Sequence, residues 1–430
     1  MKENSSSALY SGYIIDGTRM DETPAQMLEE CMSPGTADDD SAEGHPADTI
    51  IDESSDPEPG CVRHDGASVM EYLDLILAKA GKVRSVNPAF PDFSTRLRLA
   101  GAIIDSLWAE GHFRLENLRI NAAWEWDSAP VGNMAAFYFS VQAASEYIYD
   151  LGTSLAAYSF RDRPGPCRVT FSASSVSGQS ETSGYSEESA GFTFDDNGEI
   201  PEDPDDMFSE GLPDGFAGRP DDSSAADKGT STGEISGKHK GSWISHERKC
   251  PDKALPDQKS WLIYIPFDTC SHRLGGSLLE EVTGSSSDTC PEIRDPDYFI
   301  DCFEVVRELV EDGVIIAGAT VSDGGLLTAA ARLCRKTGAC IDVSGIVASY
   351  MEKDIVKILF AEIPGILVQI SGNEYDYTDS QLLLQDVAYY PIGHPGKGDG
   401  KISVVHSSRS DVAGILASLI GGIDSSEGED

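Results

Sequence analysis

The chain has 430 residues, which is enough for two or three domains with sizeable cores. Its formal net charge is −41, so its surface repels nucleic acid phosphates and anionic membranes, and neither is expected as a partner. No run of about 18 apolar residues and no apolar signal core occur, so no membrane span is predicted. The 9 cysteines form no CxxC pair, which indicates reduced thiols in a cytoplasmic protein.

Residues 1–65 form an acidic segment with 16 acidic and 3 basic side chains. A segment of this composition buries too little apolar surface to offset the loss of chain entropy on folding. We therefore expect it to be mostly disordered, and residues 17–65 to be flexible. Only the stretch LYSGYIIDGT favours a short strand.

A first globular domain is predicted for residues 66–178. The stretches SVMEYLDLILAKAGK and STRLRLAGAIIDSLWAEG have helical patterns, and NLRINAAWEW has the alternation of a strand. The next helix carries apolar residues at intervals of three and four and ends at Gly152. PCRVTFSASSV is predicted to be another strand.

Residues 179–258 are rich in Ser, Gly, Asp and Pro and have no hydrophobic periodicity, which predicts a linker or insertion. His239, His246 and Cys250 lie within it, but their spacing fits no common zinc site. We favour a solvated loop there, and no metal site is predicted.

A second globular domain is predicted for residues 259–407, with a short C-terminal tail at 408–430. One helix in it is clearly marked: Asp295 caps it, Pro296 occupies its first turn and Gly313 ends it. SWLIYIPF, CIDVSGI and GILVQI are the strand-like runs, and DSQLLLQDVA is the last predicted helix. Strands and helices alternate in both domains, which predicts the α/β class, with helices layered on mixed sheets.

The most informative stretch is AGATVSDGGLLTAAARLC, where an apolar strand pattern passes into a helix through a Ser-Asp-Gly-Gly turn. Such a junction presents unpaired backbone amides and the positive end of the helix dipole, and glycines let a ligand approach closely. An anion, usually a phosphate, could bind there. The alternative is an N-cap at Ser322 or Asp323, with glycines needed only for packing.

Three motifs in order, LGGS (274–277), VSDGGLL (321–327) and LFAEIPGILVQI (359–370), resemble the C-terminal domain of the aminoimidazole ribonucleotide synthetase superfamily. The stretch NAAWEWDSAPVGNMAAFYFSVQAASEYIYDLGTSLAAYSF is similar to the second synthetase half of large phosphoribosylformylglycinamidine synthases. The resemblance covers residues 95–178 and 259–395. It implies a PurM-like N-terminal α/β domain and a PurM-like C-terminal α/β/α domain.

The resemblance also implies ATP and Mg²⁺ as cofactors, and a nucleotide or phosphorylated ribose as ligand. The residues that would bind the anion or nucleotide are Gly275, Gly276, Ser277, Ser322, Asp323, Gly324, Gly325 and Glu362. For Glu362, a structural role, in which its carboxylate stabilises the Pro-Gly turn, explains the residue equally well. Members of the family dimerise through the N-terminal sheet. Trp124 and Trp126 share one face of a strand that would otherwise be an aggregation edge, so we expect a homodimer or a heterodimer with a related chain.

The chain departs from the family at several ligand positions. Ala319 and Thr320 stand where the family usually has a His-Asp pair. Residues 158–161 are Tyr-Ser-Phe-Arg, where the family has a Gly-Lys-Asp-Ser phosphate loop. Asn133 replaces a glutamate, and no glutaminase nucleophile is evident, so a separate glutaminase subunit would be needed. No catalytic residue is assigned.

Two functions remain open. The chain is either a degenerate synthetase half of purine biosynthesis that acts as a structural or nucleotide-binding partner, or an active ATP-dependent C–N ligase subunit completed by another chain. The lost ligands favour the first function, and the retained glycine junctions keep the second open.

Overall fold

The computed structural model describes residues 8–32, 68–79, 84–109, 111, 113–175, 248–285 and 289–405. The chain divides into two compact units, one made of Met1–Ser177 with Ile235–Asp430 and the other of Gly178–Glu234. All described residues belong to the first unit. The predictions for residues 33–67, 176–247 and 406–430, including those for His239 and His246, lie outside the described residues.

The N-terminal segment is ordered over residues 8–32, so the expectation of flexibility from residue 17 onwards is wrong for this part. Strands β1 (Ile14–Ile15) and β2 (Thr18–Arg19) pair as a short hairpin, which confirms the predicted strand. Helix α1 (Pro24–Glu30) starts at a Thr23 cap that exchanges hydrogen bonds with Gln26. Its Leu28 is fully buried, because the segment keeps a few apolar side chains among its acids.

The first sheet has three strands in the order β4-β3-β5. The central strand β3 (Leu118–Trp126) runs parallel to β4 (Ser154–Asp162) and antiparallel to β5 (Arg168–Ser175). Alternate residues of β3 are buried, as the alternating sequence predicts. The helices of this part are α2 (Ser68–Lys79), α3 (Pro91–Ser106) and α4 (Asn133–Asp150).

The two tryptophans of β3 are not exposed, contrary to the expectation that they form an open face. Trp124 and Trp126 are both almost fully buried against α4. The indole Nε1 of Trp124 donates to Ser140 Oγ at 3.0 Å, and that of Trp126 donates to the Asn133 carbonyl at 2.8 Å. The chain's own helix therefore covers this face, and the opposite face carries a mixture of small, polar and charged side chains.

The second sheet has six strands in the order β11-β8-β10-β6-β9-β7. All neighbours are antiparallel except β11 and β8, which are parallel. The strands are β6 (Trp261–Pro266), β7 (Ile315–Val321), β8 (Ala339–Asp342), β9 (Gly365–Ile370), β10 (Tyr390–Pro395) and β11 (Ile402–Val405). Helices flank it at α5 (Leu278–Thr283), α6 (Pro296–Glu311), α7 (Gly325–Leu333), α8 (Ser344–Tyr350), α9 (Ile355–Phe360) and α10 (Tyr375–Leu384).

The central strands of this sheet are buried on both faces. Ile263 and Ile265 face a core shared with α6 and the first sheet, whereas Leu262 and Tyr264 face a second core built with α2, α5, α7 and α9. This arrangement confirms the predicted α/β class with helices layered on mixed sheets.

Several elements differ from the sequence prediction. CIDVSGI is a strand only as far as Asp342, and its remainder begins α8. Helices α8 and α9 and strands β10 and β11 were not predicted, because each is short or carries polar residues and glycines that weaken its pattern. Helix α6 is as predicted, with Asp295 Oδ1 accepting from the Tyr298 amide. Within the described residues, no helix combines the length and apolarity needed to cross a membrane.

Candidate functional site at the glycine junction

The Ser-Asp-Gly-Gly turn connects β7 to α7, as the sequence predicts. Gly324 and Gly325 both have positive φ, at 84° and 69°. Gly324 is the N-cap residue of α7, and no side chain caps this helix. The predicted cap at Ser322 or Asp323 is therefore wrong. Ser322 contributes its carbonyl instead, which accepts a hydrogen bond from the Gly325 amide at 2.8 Å.

A carboxylate of the chain itself lies on the amides of this turn. Glu362 precedes β9 and is fully buried. Its Oε1 accepts the Gly324 amide at 2.7 Å and the Leu278 amide, at the start of α5, at 2.8 Å. One buried anion therefore joins the two glycine turns and takes the position near Gly324 that a bound phosphate would be expected to take.

Arg84 completes the cluster. Its Nη1 donates to Asp323 Oδ1 and Glu362 Oε2, both at 2.8 Å, and its Nη2 donates to the Gly276 carbonyl at 2.8 Å. Its Nε lies 3.5 Å from Glu281 Oε2, which is within ion-pair range but is not a hydrogen bond. The guanidinium is thus surrounded by carboxylate and carbonyl oxygens.

Arg84 and the carboxylates around it stabilise each other's charges, while the Asp323 and Glu362 carboxylates repel each other. Burial alone would lower the pKa of Arg84, but the neighbouring Glu362 and Asp323 carboxylates raise it above its ordinary value. Burial raises the pKa of Glu362, and the Arg84 charge and the Gly324 amide oppose that rise. A buried carboxylate with an arginine and two amide donors has the partners that burial requires.

Helix α3 holds the Arg84 segment in place. Arg98 donates to the carbonyls of Ser94 and Ser85, and so ties the residue next to Arg84 to this helix. Burial lowers the pKa of Arg98 to about 10, and the nearby positive charge of Arg84 adds to that effect. Arg98 nevertheless stays charged at neutral pH.

The second glycine turn, Gly275–Ser277, is also filled by internal contacts. The Gly275 amide donates to the Thr289 carbonyl at 2.8 Å, and the Gly276 amide donates to Glu280 Oε2 at 2.9 Å. Ser277 caps α5, and its Oγ accepts the Glu280 amide at 3.4 Å.

Packing alone requires glycine at these positions. A Cβ on Gly324 would lie 2.7 Å from Ile76 Cγ2, and one on Gly325 would lie 2.7 Å from the Leu359 carbonyl oxygen. A Cβ on Gly275 would overlap the Thr289 backbone at 2.1 Å. The glycines therefore need no ligand to explain them.

The structure brings all eight predicted binding residues into one region, with Glu362 at its centre. Arg84 was missed, because it stands alone in a segment without periodicity. One signal could have found it. A carboxylate between apolar stretches, as in LFAEIPGILVQI, is expected to be buried and to need a cation.

The positions at which the family holds other ligands carry different contacts here. Phe160 packs against Phe137 with ring centroids 4.7 Å apart, and Arg161 lies 3.7 Å from Glu125. Asn133 donates to the Asp127 carbonyl at 2.9 Å. Each side chain has a structural contact within this chain.

Thr320, in place of the family's acid, lies in a different network. Its hydroxyl donates to Asp105 Oδ1 at 2.5 Å and accepts from the Trp108 indole at 3.0 Å. Asp105 and Trp108 were not among the predicted site residues.

These residues do not fit Mg²⁺ and ATP. In the part of the chain that the structure describes, no three His, Cys, Asp or Glu side chains are grouped as metal ligands. Asp323 is paired with Arg84, and the Gly324 amide is used by Glu362. An aromatic ring at Phe160 offers no oxygen to a hard cation. Neither the metal nor the triphosphate therefore has a complete set of ligands.

Comparison with known proteins identifies the C-terminal part of the chain. Residues 262–404 match the family model described as AIR synthase related protein, C-terminal domain. The phosphoribosylformylglycinamidine synthase of Homo sapiens is 26% identical over 151 residues, which is 34% of this chain and 11% of that protein. A probable enzyme of the same name from Arabidopsis thaliana is 30% identical over 146 residues, which is 34% of this chain and 10% of that protein. The chain thus spans about a tenth of the length of these relatives.

Among solved structures, the chain is similar to Thermotoga maritima PurL complexed with FGAR. The TM-score is 0.48 with 12% sequence identity, and the match covers 76% of this chain and 43% of that one.

Proposed function

We propose that this chain, which belongs to the superfamily of AIR synthases and phosphoribosylformylglycinamidine synthases, is a non-catalytic synthetase half. It would act as a structural partner of a purine-biosynthesis synthetase, in the cytoplasm. In this role the glycine junction holds the domain together and does not bind a nucleotide.

The observation that carries this proposal is the occupation of the junction by Glu362 and Arg84. A phosphate at the Gly324 amide would have to displace the Glu362 carboxylate, which has two amide donors and a hydrogen bond from Arg84. Leaving that carboxylate buried without partners is strongly unfavourable, by about 3–5 kcal/mol when one member of such a pair is removed. An incoming nucleotide would need to offset this loss before it gained any affinity.

The alternative is an active ATP-dependent ligase subunit whose missing groups come from another chain. The retained glycines and Asp323 favour it. A partner could supply a lysine and a carboxylate at the sheet, but it could not free the amide that Glu362 already uses. The geometry therefore supports the structural function better.

We propose that the partner covers the open face of the three-stranded sheet. The register places Asn121, Ala123, Ser159, Thr170 and Ser172 on the face opposite Trp124. These small side chains form a level surface beside the charged residues Glu125, Arg161 and Arg168, and a second sheet of a related chain could pack on it, as a homodimer or heterodimer. A monomer by sedimentation at micromolar concentration would reject the homodimer. Ala123→Arg should dissociate a dimer without lowering the melting temperature of the monomer.

The catalytic test is substrate-dependent ATP hydrolysis by the full chain with ATP, Mg²⁺, ammonia and formylglycinamide ribonucleotide. We expect no rate above that of the variant Asp323→Asn. Hydrolysis that requires the ribonucleotide and is lost in Asp323→Asn would instead establish the ligase function. Repeating the assay with an added glutaminase or synthetase chain tests whether a second chain completes an active ligase.

A further inference from the structure

A cavity of about 360 Å³ lies beside the described edge of β5, and no residue of the glycine junction lines it. Its walls come from α3, from the segment after it and from the end of β5. The residues that matter are Ala102, Asp105, Phe113, Phe171, Ala173 and Ser174. Cavities of this size hold small organic ligands.

Asp105 is the only charged side chain among the described residues that line the cavity. The side chain reaches solvent at the cavity mouth, and the protein atoms around it exclude enough water to raise the pKa of its carboxyl. Its Oδ1 accepts the Thr320 hydroxyl. Among the described residues its Oδ2 has no hydrogen-bond donor, so it can accept one from a ligand.

The carboxylate is held in a fixed position. The Trp108 indole donates to Thr320 Oγ1, so the Thr320 proton points to Asp105 Oδ1. Trp108 itself is almost fully buried and packs against Gly318, where a Cβ would lie 2.3 Å from its ring. This chain of hydrogen bonds orients one oxygen and leaves the other facing outward.

The rest of the lining restricts the ligand further. Phe171 supplies aromatic carbon surface, together with Phe113, one face of whose ring is covered by the Arg307 guanidinium. The cavity thus combines aromatic contact with an anionic acceptor.

None of the described residues that line the cavity suits an anion. Of the cations whose charge reaches Asp105, Arg248 is already hydrogen-bonded to the Cys250 and Gly318 carbonyls and lies over the Trp108 ring. The other, Arg332, does not line the cavity. A phosphate or carboxylate would therefore face Asp105 without a positive partner, and repulsion would exclude it.

We propose that this cavity binds a flat aromatic amidine or amino-substituted nitrogen heterocycle that carries no phosphate. Its N–H groups donate to Asp105, and its ring packs on Phe113 and Phe171. This site is separate from the glycine junction, and the proposal does not depend on whether the chain is catalytic.

The test is calorimetric titration of the full chain with three probes of one shape and different charge: benzamidine, benzamide and benzoate. We expect benzamidine to bind, benzamide to bind about tenfold more weakly, since it has a single donor group and no charge, and benzoate not to bind. Equal binding of benzamidine and benzoate, or no binding of benzamidine at millimolar concentration, overturns the proposal.

Three variants locate the site. Asp105→Asn keeps the shape and removes the charge, and Ala102→Leu fills the cavity, so each should weaken benzamidine binding about tenfold or more. Asp92→Asn is the matched control, because it removes one carboxylate from the other end of α3 and should leave binding unchanged. Equal losses of benzamidine affinity in Asp92→Asn and Asp105→Asn would mean that binding depends only on the net negative charge of the protein, and would reject the site. Circular dichroism verifies that each variant is folded.

Discussion

Two carboxylates lie near the C-terminal end of β7, one bonded to the Gly324 amide and one to Thr320, and they have opposite surroundings. Glu362 is fully buried, and all its partners are internal: two backbone amides and Arg84. Asp105 reaches solvent, has one hydroxyl donor and lines a cavity. The Ser-Asp-Gly-Gly motif predicted a ligand site at Glu362. Among the described residues, however, it is Asp105 that has a carboxylate oxygen without a hydrogen-bond donor.

The comparison shows that the backbone amides of a glycine turn can bind a ligand only when no side chain of the same protein already accepts their hydrogen bonds. A strand-to-helix junction attracts any anion, including a carboxylate brought by the fold. Burial then makes the internal ion pair necessary, since neither charge is tolerated alone. Spare hydrogen-bonding capacity therefore identifies a candidate site better than the motif does.

The largest expected effect comes from removing the Arg84 charge. Arg84→Met leaves Glu362 buried without its cation and should lower the free energy of unfolding by about 3–5 kcal/mol. Urea denaturation followed by fluorescence measures this change.

A double mutant separates lost charge from lost packing. Glu362→Gln keeps an oxygen for the Gly324 and Leu278 amides and removes the anion. Arg84→Met with Glu362→Gln should therefore be more stable than Arg84→Met alone. If the double mutant is as unstable as the sum of the two single mutants, the two charges are not coupled, and the comparison with Asp105 loses its basis.

His272 extends the comparison to a buried ionisable group with one unsatisfied nitrogen among the described residues. Its Nδ1 has no hydrogen bond among the described residues, and burial lowers its pKa from 6.5 to about 4. Below pH 6.5 the unfolded state binds the proton and the folded state does not, so stability should fall towards pH 4, by about 3 kcal/mol.

The control for this pH effect is a substitution that keeps the ring. The His272 ring lies edge-on to Tyr350 with centroids 4.5 Å apart, which phenylalanine can reproduce. Unfolding at several pH values should show that His272→Phe loses less stability towards pH 4 than wild type does. If the free energy of unfolding of His272→Phe falls towards pH 4 as much as that of wild type, other groups cause the loss of stability.

Replacing each serine of the two glycine turns by alanine should lower the free energy of unfolding by different, moderate amounts. Ser277 caps α5 through its Oγ, so Ser277→Ala should cost about 1 kcal/mol. The Ser322 side chain caps nothing, so Ser322→Ala should change stability by less than about 0.5 kcal/mol. Equal losses, measured by thermal unfolding, would mean that Ser322 does cap α7.

Of these substitutions, the one at Asp105 is expected to change the free energy of unfolding least. Asp105→Asn keeps an acceptor for the Thr320 hydroxyl at an exposed position, so stability should change by less than about 0.5 kcal/mol. A loss comparable to that of Arg84→Met would show that Asp105 is a structural charge like Glu362.

The elements with strong periodicity were predictable from the sequence. The alternation of β3 and the cap, proline and glycine of α6 are local signals, and the structure confirms them. Short elements such as α9 and β11 are stabilised mainly by contacts with distant residues, which a local pattern does not contain. The burial of Trp124 depends on Ser140 in α4, and a strand pattern read alone does not show it.

The site was predictable only in part. The sequence located both glycine turns and Glu362, and the structure places them together. It gave no sign of Arg84, which lies 278 positions from Glu362 along the chain. Nor did it indicate Asp105, whose importance comes from a cavity between α3 and β5. Contacts between distant segments determine whether a motif is free to bind.

The central claim, that the glycine junction is closed by the chain's own charges, is tested most directly by calorimetric titration of the full chain with Mg²⁺-ATP. We predict no binding in the millimolar range, for wild type and for Asp323→Asn alike. Saturable binding by wild type that is lost in Asp323→Asn, with both proteins equally stable, would contradict the account and restore the junction as a nucleotide site.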